Sequence, residues 1–320
     1  MQISKNNQQG FALITVLLIV ALITIIATQL IYQQSLTIQR SANMLHQAQA
    51  NAVSFGLETW IKKGLRLDAE SSDIDHLEEE WARPMIAIPF EEGDISGQLF
   101  DLQAKINLNN LAEPTKEERE LWQAIVKRFF INQELEESLE AVVSDWVDED
   151  NNALLGGAES DTYLLRSPAY RAANQKLVLV QELGLLEGFS PAVIAKITPN
   201  VATLPAITKI NINTANETVL IALADWMTAE IANNWITERK LNPAKETADF
   251  RKFMVEATAF EDDEVNQDLP DTIISVTSQF FYLEGRVNYG KAKQAVSAIF
   301  MRENKKQVRL IQRWVGIASD

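Results

Sequence analysis

Gly10 to Ala27 reads GFALITVLLIVALITIIA, and the apolar run continues through Leu30 and Ile31. No charged residue lies between Asn6 and Gln39, and about twenty consecutive apolar residues let an α-helix cross the hydrocarbon core of a membrane. The other reading is a buried core helix, but a helix apolar on every side and near a chain end finds little protein to cover it. A membrane span over 11–38 is therefore expected. Lys5, the one positive charge before the span, favours a cytoplasmic N-terminus with the bulk of the chain across the membrane. An ordinary secretory signal would have a shorter apolar stretch followed by a small-residue cleavage site. Here a short polar leader, 1–10, comes first, so a cut after Gly10 would remove the leader and leave the whole apolar helix attached.

The remaining composition limits the chemistry. With 320 residues, 47% of them hydrophobic and 23% charged, the chain can bury a real core and suits two modest domains. The absence of cysteine excludes a disulfide framework, a thiol nucleophile and a thiolate zinc site. Only His46 and His76 are present, which leaves little for a Ser-His-Asp triad or a histidine metal centre. Against 29 basic residues stand 44 acidic ones, and the formal charge of −15 opposes general binding to phosphate backbones.

Beyond the span an amphipathic helix is expected to continue to about Lys62, with Met44, Leu45, Val53, Phe55, Leu57 and Trp60 as its apolar positions. The polar stretch 66–83 reads as loop. Met85 to Phe90 and Gly97 to Asn107 alternate as strands do. Near the C-terminus, Phe281, Leu283, Val287 and Tyr289 repeat every second residue, and Gly290-Lys291 turns into a strand from Ala292 to Met301. Glu303-Asn304-Lys305 makes the next turn, and Val308, Leu310 and Trp314 are assigned one face of the last strand.

Between these strand sets, 111–270 reads as helical. Thr115 and Glu118 form an apparent capping box ahead of the stripe Leu121, Trp122, Ile125, Val126, Phe129 and Phe130. Ser190-Pro191 opens another helix, and Thr214 with Glu217 forms a second box. One internal echo stands out: Lys105-Ile-Asn-Leu-Asn109 and Lys209-Ile-Asn-Ile-Asn213. The second copy leads into a stretch similar to the first helix of a helix-hairpin-helix motif. Its hairpin, Leu223 to Thr228, lacks the glycines that hold phosphate and adds Asp225, so it reads as a packing module.

Asp148, Asp150, Asn152 and Glu159 occupy positions one, three, five and twelve of an EF-hand-like loop, and Asp161 could add an oxygen. Position six is Ala153 where the sharp turn needs glycine, so a true EF-hand is not expected. By spacing alone the bland reading, a solvated acidic loop, competes with Ca²⁺ binding. The acidic run Glu261 to Glu264, with Asp268 and Asp271, is read as exposed loop, and neither cluster fixes the carboxylate spacing that a hydrolase needs.

Gly10-Phe11 ahead of an apolar run resembles the type IV prepilin family. The resemblance implies cleavage after Gly10 by a prepilin peptidase and methylation of Phe11. Most prepilins carry glutamate five residues after the cut; this chain has Thr15. That departure resembles the minor pseudopilin K family of type II secretion systems. So do the large helical insert, the run from Asp145 to Tyr163 with its Gly156-Gly-Ala-Glu159, and Pro168 to Asn174. The similarity spans essentially the whole chain.

What it implies is an α+β fold: a pilin-like long N-terminal helix with an antiparallel sheet, interrupted by a large all-α inserted domain. The pilin-like parts would be 39–110 and 271–320, flanking an insert at 111–270. The function implied is structural and not enzymatic: a subunit at the tip of the periplasmic pseudopilus, anchored in the bacterial inner membrane and supporting protein secretion across the outer membrane. The expected partners are minor pseudopilins I and J, the prepilin peptidase, the inner-membrane assembly platform and secreted substrates, with no nucleic acid. Calcium is implied as a ligand of the helical domain, with Asp148, Asp150, Asn152, Glu159 and Asp161 as candidates. The alternatives are a minor pilin of a type IV pilus, or a membrane-anchored DNA-uptake factor using the helix-hairpin-helix element.

Overall fold

The computed structural model describes residues 7–258 and 260–317. The first six residues, including Lys5 and most of the expected leader, lie outside the described residues. A single helix, α1 (Asn7–Ser71), opens the chain. It is followed by β1 (Met85–Phe90) and β2 (Gly93–Asp101). The chain returns to the same sheet with β7 (Phe280–Tyr289), β8 (Ala292–Asn304) and β9 (Gln307–Ile317). The sheet order is β1-β2-β7-β8-β9, antiparallel throughout, so β2 and β7 are direct neighbours although 178 residues lie between Asp101 and Phe280.

Those intervening residues form a helical body: β3 (Ile106–Asn107), α2 (Lys116–Asn132), α3 (Leu139–Val147), α4 (Ser160–Tyr163), α5 (Pro191–Ile197), β4 (Val201–Ala202), β5 (Ile210–Asn211), α6 (Glu217–Ile221), α7 (Ala229–Glu238), α8 (Thr247–Thr258), α9 (Asp262–Asp268) and β6 (Ile274–Ser275). Its core contains the expected α2 stripe, Trp122, Ile125, Val126, Phe129 and Phe130, against Trp146, Tyr163, Val219 and Trp235. Two short parallel pairs, β3 with β4 and β5 with β6, brace it.

These pairs explain the internal echo. Asn109 grips the backbone of Leu177 from both sides, its Nδ2 donating to Leu177 O at 2.8 Å and its Oδ1 accepting from Leu177 N at 2.8 Å. Asn213 does the same to Ala244, at 2.9 Å each way. An asparagine amide carries a donor and an acceptor side by side, so it can mimic a strand neighbour where no strand is available. The hairpin after α6 is tied down by protein contacts: Arg128 of α2 donates to Asp225 at 2.5 Å and to Ala222 O at 2.6 Å.

Several expectations are corrected by packing. α1 runs to Ser71, past Lys62 and into the stretch read as loop. Its buried ladder is Ala50, Ser54, Leu57, Glu58, Ile61, Leu65 and Ala69, a three-and-four spacing that lies on the sheet. Met44, Leu45, Phe55 and Trp60 point outward instead. β2 begins at Gly93, earlier than the Gly97 expected, and ends at Asp101, after which the chain forms a short 3₁₀ turn. Thr115 makes no side-chain cap on α2; Glu113 Oε1 accepts its N–H at 3.2 Å. Asn216, not Thr214, caps α6, accepting from Val219 N at 3.0 Å. Trp314 does not share a face with Leu310. A bulge where Ile299 pairs with Gln312 but Phe300 pairs with Leu310 flips the later residues, so Arg313 faces α1 and bonds Glu58.

Where body and sheet meet, Asp101 is fully buried. Its Oδ2 accepts from Thr214 Oγ1 and Ser278 Oγ, both at 2.5 Å, and from Asn211 Nδ2 at 3.2 Å. Its Oδ1 accepts from Gln103 N at 2.7 Å. Burial outweighs these bonds and pushes the carboxyl up from 3.8 to about 6. A carboxyl raised in the folded state holds its proton better folded than unfolded. Its contribution is present below the ordinary value and is lost as pH rises through the folded one. Unfolding free energy is therefore expected to fall as pH rises from 3.8 to about 6, with a shallower slope in Asp101→Asn. Asp101→Ala, which takes the acceptor from four donors, is expected to cost about 3 kcal/mol or more in urea unfolding.

Candidate functional site

Two features of the fold stand out as functional: the apolar half of α1 and the acidic loop 148–159. From Phe11 to Ile31 every residue except Thr15 is exposed among the described residues. Phe11 is 72% exposed, and the most apolar eighteen-residue window, with mean hydropathy 2.9, is wholly unburied. It is the one helix among the described residues that is long and apolar enough to cross a membrane. Thr15 directs its hydroxyl back to Ala12 O at 2.9 Å, so the residue standing where a carboxylate is usual carries no unmet charge or donor. Gly10 lies within the backbone of α1, one residue before the exposed run. The same helix therefore has a bare apolar half and a half whose inner face is fixed on a sheet.

The acidic loop leaves the C-terminal end of α3. Asp148, Asp150 and Glu159 each place one carboxylate oxygen within 4.8 Å of the other two. The loop is shaped by its own side chains: Asp148 Oδ1 accepts from Asp150 N at 3.3 Å, and Asp150 Oδ1 from Asn152 N at 2.7 Å. Burial, then the charge of Asp150, pushes Asp148 up to about 6. Burial also raises Glu159, with Asp145, Asp148 and Asp150 adding to the effect. Glu159 is 5% exposed, with Oε2 accepting from Ser160 N at 3.2 Å and Oε1 buried without a partner. Carboxylates held this close and short of donors suit a hard divalent cation.

Of the expected ligands, the structure gathers Asp148, Asp150 and Glu159. Asn152 contributes its backbone N–H to Asp150 while its side chain is exposed, and Asp161 is exposed in the first turn of α4. Two residues went unread in the sequence. Asp145, buried in α3, accepts from Leu154 N at 3.1 Å and stands behind the loop. Asn174 donates to Asp150 O and leaves its Oδ1 buried and unpartnered. The Gly156-Gly157 pair was the available signal, because a Cβ at Gly157 would overlap Asp145 Oδ2. The run Glu261 to Glu264 is not gathered into a site; it caps and opens α9, while Asp268 binds Trp226 Nε1 at 2.7 Å and Asp271 binds Arg251 at 2.8 Å.

A long helix, bare at one end and packed on an antiparallel sheet at the other, is the architecture of the pilin-like proteins. Residues 104–206 and 210–273 match two family patterns, both described as type II secretion system (T2SS), protein K. The type II secretion system protein K of Pseudomonas aeruginosa is 31% identical, over 98% of this chain and 94% of that protein. That of Aeromonas hydrophila is 27% identical over 98% of both. Among solved structures, the GspK-GspI-GspJ complex from the enterotoxigenic Escherichia coli type 2 secretion system contains a similar chain. The TM-score is 0.76 at 25% identity, covering 87% of this chain and all of that one. The chain belongs to the type II secretion system protein K family, the minor pseudopilins, and its N-terminal helix fits a single-pass membrane anchor.

Gly157→Ala is expected to push Asp145 out of place and loosen the loop. Amide hydrogen exchange should speed up at Leu154 and Ala158, whose N–H groups Asp145 holds, and stay unchanged in the β7–β8 ladder.

Proposed function

We propose that this chain caps the tip of the periplasmic pseudopilus, assembling with minor pseudopilins I and J to start the filament and support secretion across the outer membrane. The observation that carries the reading is the division of α1. Its bare apolar half suits storage in a bilayer and later burial among neighbouring helices, while its other half is already committed to the sheet. The role is assembly and not catalysis. A family relative crystallised with GspI and GspJ supports the choice of partners. Thr15 supports the terminal position: its self-satisfied hydroxyl offers no carboxylate to pair with a neighbour's N-terminal amine, so the chain suits a place where that pairing is not needed.

Before assembly the chain sits in the inner membrane with its N-terminus cytoplasmic and its bulk periplasmic. Prepilin peptidase cuts after Gly10, Phe11 becomes the methylated N-terminus, and the assembly platform draws the helix from the bilayer. The helical body extends from the sheet at the tip, where secreted substrates would meet it. Asp148, Asp150 and Glu159, with Asn152 inside the loop and Asp161 just after it, would hold calcium. Bound calcium would neutralise the crowded carboxylates and fix the loop; the orphaned Glu159 Oε1 supports this reading.

Mass spectrometry of the protein from cells is expected to give a mature chain beginning at Phe11, and substitution of Gly10 should block maturation; an intact Met1, or a cut beyond Ala27, would sink the reading. The mature protein should co-purify with pseudopilins I and J, whereas salt-sensitive retention on DNA would favour an uptake factor. Calcium should raise the melting temperature of the wild type, and Asp150→Asn with Glu159→Gln should shrink that rise by the part owed to the loop; an unchanged rise would sink the assignment of the loop.

A further inference from the structure

A second set of carboxylates converges where the end of α1 meets the sheet. Asp68 on α1, with Asp75 and Glu79 from the segment that follows, each place one oxygen within 4.8 Å of the other two. Calcium takes oxygens at about 2.3–2.6 Å, so ligands on opposite sides of the ion stand about 5 Å apart, and these three fall inside that span. Arg302 of β8 is the cation at hand, 3.2 Å from Asp68 Oδ2 and bonded to Asp75 Oδ2. Three carboxylates against one guanidinium leave two negative charges, the deficit a divalent ion removes. His76 lies with Nε2 4.0 Å from Glu79 Oε1, and the adjacent Glu80 is paired with Arg83.

Hydrogen bonding leaves the deficit unmet. Asp75 is 1% exposed; its Oδ2 takes the Ser278 N–H at 2.7 Å as well as Arg302, while its Oδ1 is buried with no partner. Arg302 is engaged elsewhere, donating to Ser278 O at 2.7 Å and to Asp68 Oδ2 at 3.2 Å as well as to Asp75 Oδ2. Burial, then Glu79 and Asp75, pushes Asp68 up to about 7, against the opposing pull of Arg302. Two of the three are reachable from outside: Asp68 and Glu79 line a cavity of about 670 Å³, and Asp75 lies buried behind them.

We propose that Asp68, Asp75 and Glu79 form a divalent-cation site for Ca²⁺, separate from the loop 148–159, that ties the end of α1 to the sheet and, through Asp75 and Ser278, to the helical body. All-carboxylate oxygen ligands select a hard ion, and water entering from the cavity completes its shell.

Tb³⁺, a luminescent stand-in for Ca²⁺, tests the site in the full chain in detergent, in a background of Asp150→Asn with Glu159→Gln that removes the loop ligands. Trp81 Nε1 donates to Glu79 Oε2 at 2.7 Å, which places its indole beside the ion. Tryptophan-excited Tb³⁺ emission, displaced by Ca²⁺, is expected at one ion per chain. Trp81→Phe should remove most of that emission while Trp146→Phe does not. Glu79→Gln, which keeps an acceptor for Trp81, should weaken Ca²⁺ about tenfold or more with unchanged far-UV circular dichroism. Absence of bound Tb³⁺ and Ca²⁺ in the loop-deficient chain, or Ca²⁺ binding indifferent to both Glu79→Gln and Asp68→Asn, overturns the proposal.

Discussion

The fold depends on a carboxylate kept in the dark without a cation of its own. Asp101 ends the strand that leads into the helical body, and its donors come from widely separated segments: Asn211 and Thr214 within the body, Ser278 where the chain returns to the sheet. Ser278 then gives its N–H to Asp75, whose other partner is Arg302 of β8. Asn211 also donates to Asp75 O at 3.0 Å. An unsatisfied buried carboxylate would be intolerable, and these hydroxyls and amides reach it only when all the segments are in register. Two cores that share few apolar contacts are thus joined by a polar knot.

The apolar part of the joint is small by comparison. Leu102, Ala202, Leu204 and Phe280 form a separate cluster, with Tyr282, Ile299 and Met301 of the sheet face turned away from α1. Grease of that size would let the body slide; hydrogen bonds with fixed directions do not. The arrangement places the insertion at one end of the β2–β7 pair, so the sheet keeps its other face for α1 and the insert does not compete with the helix.

Periodicity made the largest features legible. The bare half of α1, the α2 stripe and the β7 alternation all follow from which side chains must leave water, and no long-range contact is needed to read them. The internal echo was legible as a repeat, but not its purpose, because a side chain gripping the backbone of Leu177 or Ala244 leaves no trace at the gripped residue. What was misread depended on partners. Asp68 and Ser71 look like loop residues because the segment is polar, yet α1 is extended there by Leu65 and Ala69 on the sheet and by Arg302 on Asp68. Thr214 sits at a plausible cap, but Asp101 claims its hydroxyl. The β9 bulge shifts the facing of Trp314, and alternation alone cannot register an inserted residue.

The candidate site shows the same division. Three of its carboxylates could be chosen from spacing, because the loop is local. Asp145 could not, since it lies on the helix face that looks like core, and Asn174 reaches Asp150 across twenty-three intervening residues. The negative charge first weighed against nucleic acid thereby gains a structural meaning. It is not spread evenly as a solvating coat: part is crowded in the loop 148–159 and part at the root of the body, in each case with a buried carboxylate oxygen left without a donor. In a chain with no cysteine to cross-link it, those are two places where an external cation would add stiffness, one at a loop and the other at the joint on which the body stands.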